Sequence, residues 1–422
     1  MDAPAPADAA AAREADRLTV AVRPDPLLTR VARRLLGRGG WREPSPFATY
    51  AAVDELARRG AAPLLPHDPA AAEAEALDVA VVIPWYPPGG GGHATIFNLV
   101  RQLEARGHRC SIWLDDPGGR HAGLDEATVA RELRELFGGC AGPIRKGFAG
   151  WRGADVVVAT GWPTAYRAQL LDRCRARAYL VQDHEPEFHP TSAESLWAAA
   201  TYRAGLHCIA ASTWLAGLLE ERYGVAASSF DLGIDHDRYA PPAPAPSAAA
   251  GRADRVLFYA RASTERRAVP LGLFALAELK RRRPQTQIAL FGAAGPPQVP
   301  FPCEQLGLLT AQQLADAYRG AGAGLVLSLT NPSLVPQEML ACGLPCVDVD
   351  LPATRSEWGV SGGVELAAAD PQALAGALAR LLDDRELHAR RSAAGVAWAA
   401  GRTWPRAAEQ VEAGLRTALR GA

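Results

Sequence analysis

Short apolar runs alternate with stretches of helical periodicity along most of this chain. The first run is Val79 to Ile83, and others stand at Ser111 to Leu114, Val156 to Ala159, Tyr179 to Gln182 and Cys208 to Ala210. Each is continuous rather than alternating, which is the pattern of a parallel strand buried on both faces. Between them, apolar positions recur every three or four residues, as in Ile96, Phe97, Val100 and Leu103. That spacing predicts helices at Ala94 to Arg106, Glu126 to Phe137, Pro163 to Arg175, Thr191 to Ala204 and Thr213 to Tyr223. Gly107 sits where a helix C-terminus favours a residue without Cβ.

The alternation pauses at Ala240 to Gly251, an Ala/Pro-rich stretch that reads as a linker, and then restarts. Strands are expected at Val256 to Tyr259, Ile288 to Phe291, Gly324 to Leu327 and Pro345 to Val349. Helices are expected at Leu271 to Arg282, Ala311 to Arg319, Pro336 to Cys342 and from Pro371 onward. Strand and helix in strict succession predict parallel α/β sheets. The expected organisation is an extension over 1–77, a first doubly wound domain over 78–239, a linker over 240–251 and a second domain over 252–401. The final segment, 402–422, is expected to be helical.

Within the extension, residues 1–16 are Ala/Pro-rich and expected to be disordered. Leu27, Leu28, Val31, Leu35 and Leu36 then share a helical spacing with Arg30, Arg33, Arg34 and Arg38 between them. Such a basic amphipathic helix either docks on its own domain or touches an anionic membrane surface. A second helical stretch runs near Tyr50 to Arg59.

Charge and composition narrow the chemistry. The 45 basic and 46 acidic residues nearly cancel, so there is no global footprint for nucleic acid. All but two of the basic residues are Arg; the exceptions are Lys146, followed by Gly147, and Lys280, followed by Arg281. Neither can serve a Walker A loop, which excludes a P-loop phosphotransferase. The seven Cys are scattered and form no C-x-x-C pair, so they are expected to be reduced structural thiols. The N-terminus has no signal-peptide pattern and the chain no apolar run long enough to span a bilayer, so the expected location is cytoplasmic.

Four stretches at predicted strand ends carry candidate chemistry. The loop Gly89, Gly90, Gly91, Gly92, His93 follows the first strand, and glycines there let a ligand approach backbone amides at a helix N-terminus. Gly89, Gly91 and Ala94 also fit a dinucleotide fingerprint on paper, but three prolines separate the strand from the first glycine. Asp183, His184 and Glu185 end another strand and are candidates for proton transfer. A metal site is not expected there, because the metal-binding H-E-x-x-H spacing is missing. Arg261, with Arg266 and Arg267 close behind, suits a diphosphate, whose oxygens guanidinium groups pair bidentately. Finally, Asn331, Pro332, Ser333 and Leu334 lead into a helix carrying Glu338. Amides in that turn can hold phosphate oxygens, and the carboxylate either accepts from ribose hydroxyls or simply stabilises the helix dipole.

Taken together, these stretches resemble GT-B glycosyltransferases of family 4. The blocks Ile83-Pro84-Trp85, Gly91-Gly92-His93, Gln182-Asp183-His184-Glu185-Pro186, Phe258-Tyr259-Ala260-Arg261 and Asn331-Pro332-Ser333-Leu334 are similar to its bacterial rhamnosyltransferase-like branch, which builds cell-surface polysaccharides. The fold this resemblance implies is two Rossmann-like doubly wound domains facing across a cleft, here with an N-terminal helical extension. The implied activity is transfer of a sugar from a nucleoside-diphosphate donor, dTDP-rhamnose among the candidates, to a glycan or lipid-linked hydroxyl, with no essential metal or cofactor.

The resemblance also assigns roles, and it implies that the C-terminal helix within 402–422 crosses back to complete the first domain. Arg261 and Arg267 fall where the family places an Arg and a Lys on the diphosphate, and Glu338 falls on the second Glu of its E-x7-E motif, which holds the ribose. The first Glu of that motif is Thr330 here, which departs from the pattern. Turn amides from Asn331 to Leu334 would then carry phosphate contacts. The proton on the acceptor hydroxyl goes either to the donor's own phosphate or to Asp183, His184 or Glu185. Other readings are a non-catalytic nucleotide- or glycan-binding protein, a sugar-nucleotide epimerase, and an NAD-dependent oxidoreductase resting on Gly89, Gly91, Ala94 and Asp115.

Overall fold

The apolar runs become strands, and their order places their C-terminal ends around one seam. The computed structural model describes residues 45–87, 90–242, 253–295 and 297–421. The amphipathic segment at 26–38, Gly89 and most of the 240–251 linker lie outside the described residues.

Among the described residues, β1 (Asp78–Pro84), β2 (Arg109–Asp115), β3 (Ile144–Lys146), β4 (Ala154–Ala159), β5 (Cys174–Val181), β6 (His207–Ala210) and β7 (Ala227–Ser229) form one parallel sheet in the order β3-β2-β1-β4-β5-β6-β7. A second parallel sheet contains β8 (Arg255–Tyr259), β9 (Gln287–Phe291), β10 (Glu304–Gly307), β11 (Ala323–Leu325), β12 (Cys346–Val349) and β13 (Val364–Ala367) in the order β10-β9-β8-β11-β12-β13. In each the direction of winding reverses beside the first strand, between β1 and β4 and between β8 and β11. Ligands of open α/β sheets bind beyond the strand C-termini at that reversal.

Strand geometry explains the continuous apolar runs. Successive side chains point to opposite faces. Val79, Val81 and Ile83 enter one core with Ile96 and Phe97, while Ala80 and Val82 enter another with Trp113 and Tyr179. In the second sheet Phe258 and Leu257 divide the same way. With helices on both faces, strand positions in the middle of a sheet are mostly apolar.

That rule also accounts for what the pattern misses. The strands absent from the sequence reading are β3, β7, β10 and β13, the four edges of the two sheets. They are short and include Arg145-Lys146, Ser228-Ser229, Glu304-Gln305 and Glu365. Edge strands tolerate polar residues because one side lies open, and charge there discourages pairing with another chain. The expected helix from Pro163 to Arg175 is also too long. It spans Trp162–Leu170, Arg173 takes a left-handed backbone at φ 53°, and β5 has begun at Cys174. The expected helix at Thr191 to Ala204 is Ala193–Thr201, opened by Ser192, whose hydroxyl accepts from the Ser195 amide.

Two further pieces complete the first domain. Helix Ala51–Arg59 lays Ala52 against Trp162, Tyr166 and Ala198, and the Tyr50 hydroxyl donates to Glu194 at 2.6 Å. Helix Trp404–Arg420 places Trp404, Ala407, Val411, Leu415 and Leu419 in the first sheet's core, although it follows the second sheet in the chain. At the crossover, Arg402 reaches Asp231 at 2.9 Å on one side and Glu357 at 3.0 Å on the other. From Phe47 onward the residues pack as one unit.

Candidate active site

The loop leaving β11 docks into the strand ends of the first sheet. Asp183, just past β5, is the centre of the contact. Its carboxylate accepts from the Thr330 hydroxyl and from the Asn331 backbone N–H, both at 3.0 Å, and lies 2.8 Å from Arg266 Nε. All three partners belong to the second domain. The Asn331 amide nitrogen donates to the carbonyls of Gln182 and Ala211, each at 3.0 Å, and its oxygen accepts from Ser212 Oγ at 2.9 Å. Asn331 thus meets the first domain with its side chain as well as its backbone.

The other two residues of the acidic stretch turn inward. Glu185 is buried and accepts from the Trp162 N–H at 2.6 Å, at the N-terminus of helix Trp162–Leu170. Burial pushes its carboxyl up to about 7; that amide, the nearby Tyr179 hydroxyl and the Arg266 charge act against the rise. His184 is 2% exposed, with Nε2 2.7 Å from the Tyr223 hydroxyl and Nδ1 3.0 Å from Glu187. Of the three expected proton carriers, Asp183 alone faces the seam.

The raised Glu185 value makes a stability prediction. The folded protein holds this proton more tightly than the unfolded chain, whose Glu has the ordinary value near 4.5. Between about pH 4.5 and 7 the native state therefore binds more protons, and stability falls as pH rises through that window. Urea melts should show a smaller fall from pH 5 to pH 7.5 in Glu185→Gln than in the parent. An unchanged slope would remove Glu185 from this linkage.

The second domain supplies the cations. Arg261 stands half-buried just beyond β8. Arg267 ends the short 3-10 turn Glu265–Arg267, is 6% exposed and donates from Nη1 to Ser328 Oγ at 3.3 Å. Burial lowers its pKa, and the nearby Asp183 and Asp348 charges oppose the fall. Asp348 accepts from the Ser328 and Val349 amides at 2.8 Å and from Trp358 Nε1 at 3.1 Å. Desolvation pushes Asp348 up to about 7 against these bonds. Arg267 is therefore braced from beneath through Ser328.

Helix Leu334–Ala341 opens behind Asn331 and Pro332. Its N-cap is Ser333, whose hydroxyl caps no amide and has no hydrogen-bond partner among the described residues. Glu338, one turn on, sets its carboxyl 3.5 Å from the Tyr318 hydroxyl, with Tyr239 also in reach. Burial pushes it up to about 8 against both phenols.

Gly90 and Gly91 lead into helix Gly91–Ala105. A Cβ on Gly92 would meet the Gln182 side-chain amide at 3.4 Å, so this loop closes over the end of β5. His93 packs back onto its own domain, with Nε2 3.4 Å from the Pro84 carbonyl and its ring stacked on Phe137; burial lowers its pKa. Gly89 lies outside the described residues.

Beside the seam is a cavity of about 610 Å³, lined from the first domain by Glu187, Trp214 and Glu221 and from the second by Leu329, Leu351 and Pro352. Neither this cavity, Arg266's contact with Asp183 nor the docking of Asn331 was legible in the sequence. The nearest signal was Ser212-Thr213 ahead of a helix, which predicts a cap but no partner across the seam. Ser212 does cap the Leu215 amide, at 3.1 Å, while also holding Asn331.

The chain matches the family described as WsaF, C-terminal domain, over residues 254–379 and WsaF, N-terminal domain, over residues 148–212. An O-antigen biosynthesis protein, RfbC of Myxococcus xanthus, is 32% identical over 314 residues, which is 71% of this chain and 24% of that protein. The chain thus spans about a quarter of that relative's length. Sucrose-phosphate synthase from Thermosynechococcus elongatus superposes with a TM-score of 0.61 at 16% identity, over 83% of this chain and 100% of that one. WaaG, a glycosyltransferase involved in lipopolysaccharide biosynthesis, gives 0.57 at 14% identity, over 79% and 98%. HepE of Anabaena, solved with UDP and glucose, gives 0.56 at 15% identity, over 78% and 95%. These likenesses show the fold: two Rossmann-like domains in the GT-B arrangement. Among the described residues, no helix is long and apolar enough to cross a membrane.

Proposed function

We propose that this chain is a GT-B glycosyltransferase that moves a sugar from a nucleoside-diphosphate donor to a hydroxyl of a cell-surface polysaccharide or its lipid-linked precursor. The observation that carries this reading is the cation set beyond β8, facing the loop that leaves β11. Arg267 is fixed against Ser328, and the loop that carries Ser328 runs on to a helix whose N-cap hydroxyl at Ser333 has no partner among the described residues. A departing diphosphate develops negative charge, and buried guanidinium with helix N-terminal amides stabilises it in a site shielded from water. The WsaF and O-antigen likenesses support a polysaccharide acceptor, and UDP in HepE supports a nucleotide donor. The finer assignment, rhamnose from a dTDP donor, rests on the motif resemblance.

In this reading Arg261, Arg267 and the Asn331–Leu334 turn hold the diphosphate, Glu338 leaves its phenols for the ribose, and Gly90 to Gly92 cover the donor from the first domain. The reaction needs no metal, because the arginines carry the leaving-group charge. The acceptor's proton passes to the departing phosphate oxygen; His184 and Glu185 are turned into the first domain and Asp183 is paired at the seam. Contact between the segment at 26–38 and an anionic membrane would bring a lipid-linked acceptor close.

The cavity beside the seam is our candidate for the acceptor. Trp214 offers an apolar face for a sugar ring, and Glu187 and Glu221 offer acceptors for its hydroxyls. Trp214→Ala should raise the acceptor KM by roughly tenfold while the donor KM stays within about twofold, since one well-placed aromatic contact contributes about 1 kcal/mol or more. Equal changes in both constants would place the acceptor elsewhere.

Thermal stability with a panel of dTDP, UDP, GDP, ADP and NAD tests the donor. A ligand at 100 times its Kd adds about 2.7 kcal/mol. A selective rise with one nucleoside diphosphate is the expected result. A rise with NAD alone would overturn the reading.

A further inference from the structure

The anion-binding groups at the seam already hold an anion, and it is the protein's own. Asp183 projects from the first domain into a set comprising a guanidinium, a hydroxyl and a backbone N–H, all from the second. That combination is the one that binds phosphate oxygens. The fit to Asp183 is incomplete. Arg266 Nε lies 2.8 Å from the carboxylate, yet its N–H is buried and aligned on no acceptor among the described residues. The contact is therefore an ion pair without a directed hydrogen bond, and a buried donor remains unsatisfied. Arg267, the adjacent buried cation, also has Asp183 as the largest charge supporting it. From its own domain Asp183 takes the His184 amide, at 2.9 Å.

We infer that Asp183 is an internal stand-in for the donor's phosphate, so that the seam as seen here is a self-plugged state. A phosphate oxygen of the nucleotide sugar displaces the carboxylate from Arg266, Thr330 and the Asn331 amide, and donor binding is coupled to a shift of Asp183 out of the seam. The inference rests on the nucleotide-sugar reading above. It makes Asp183 a competitor of the donor rather than a base for the acceptor.

The two partners of one ion pair then have opposite effects on affinity, which a plain latch would not give. Titration calorimetry with inorganic diphosphate, and with the nucleoside diphosphate that stabilises the parent most, measures both. Asp183→Asn removes the competing charge and should tighten binding about fivefold or more, as the fraction of protein with an open cradle rises. Arg266→Gln removes a cradle cation and should weaken binding about tenfold or more. If the carboxylate merely ties the domains together, the two variants loosen the same seam and shift Kd in the same direction, which overturns the inference. Asp183→Asn binding no tighter than the parent also overturns it. A parent that binds neither probe overturns the nucleotide-sugar reading and this inference with it. Should Asp183→Asn fail to fold, Asp183→Ser carries the same expectation, because it too removes the charge without adding bulk.

Discussion

Arg267→Ala should reduce kcat/KM for sugar transfer by about 100-fold or more, the scale of removing one buried donor from a developing anion. Three features make Arg267 the most sensitive cation here. It is almost wholly buried, so its field is little screened by water. Ser328 fixes its fork, and Asp348 fixes Ser328. It ends the turn that also carries Arg266, so its backbone is part of the seam. Removing it leaves Asp183 and Asp348 with less compensating charge, so some stability is lost too. Arg267→Lys separates the two effects, because it keeps the charge and loses the fork. It should recover most of the stability and a minor part of the rate. A folded Arg267→Ala with kcat/KM within threefold of the parent would remove this residue from the diphosphate site.

The second large effect is on stability and lies outside the cleft. Trp404→Ala should cost about 3–5 kcal/mol, measured as the shift of a urea unfolding curve at constant slope. Trp404 opens the C-terminal helix and fills the first sheet's core where the chain leaves residue 233. A Cβ at Gly233 would come within 2.6 Å of Trp404, so glycine is needed there for the two backbones to approach. The Ile234–Thr403 bridge and the Arg402 pairs to Asp231 and Glu357 hold the same junction. The tryptophan therefore packs where the crossover joins the first core, and the surrounding backbone cannot easily collapse into the space it leaves. A loss under 1 kcal/mol would show that the helix is held by its later turns, from Val411 to Leu419.

The contrast between these two residues shows what a sequence can disclose. Central strands announce themselves because both faces are covered, as at Val79 to Ile83. Edge strands such as β10 do not, because half their surroundings is water. Strand ends are legible as addresses, and the sequence alone points to Arg261, Arg267, Asp183, Asn331 and Glu338. Their partners were not legible. Asp183 and Asn331 are about 148 residues apart, and no local pattern encodes a contact that forms only when two independently wound sheets meet. Thr330 illustrates the point: in sequence it is a missing carboxylate, whereas in the structure its hydroxyl donates to the carboxylate of Asp183. Glu338 likewise reads as a ribose ligand, while the fold shows the two phenols it would have to leave.

Transfer of a sugar from a nucleotide to an acceptor hydroxyl fixes a product balance that can be measured. The protein is incubated with the sugar nucleotide whose base the stability panel selects, with and without a polysaccharide or lipid-linked acceptor. Free nucleoside diphosphate and glycosylated acceptor are then counted in the same reaction. Diphosphate release should depend on acceptor and equal the sugar transferred. Conversion of one nucleotide sugar into another without diphosphate release, or tight nucleotide binding with no turnover on any acceptor, would contradict it.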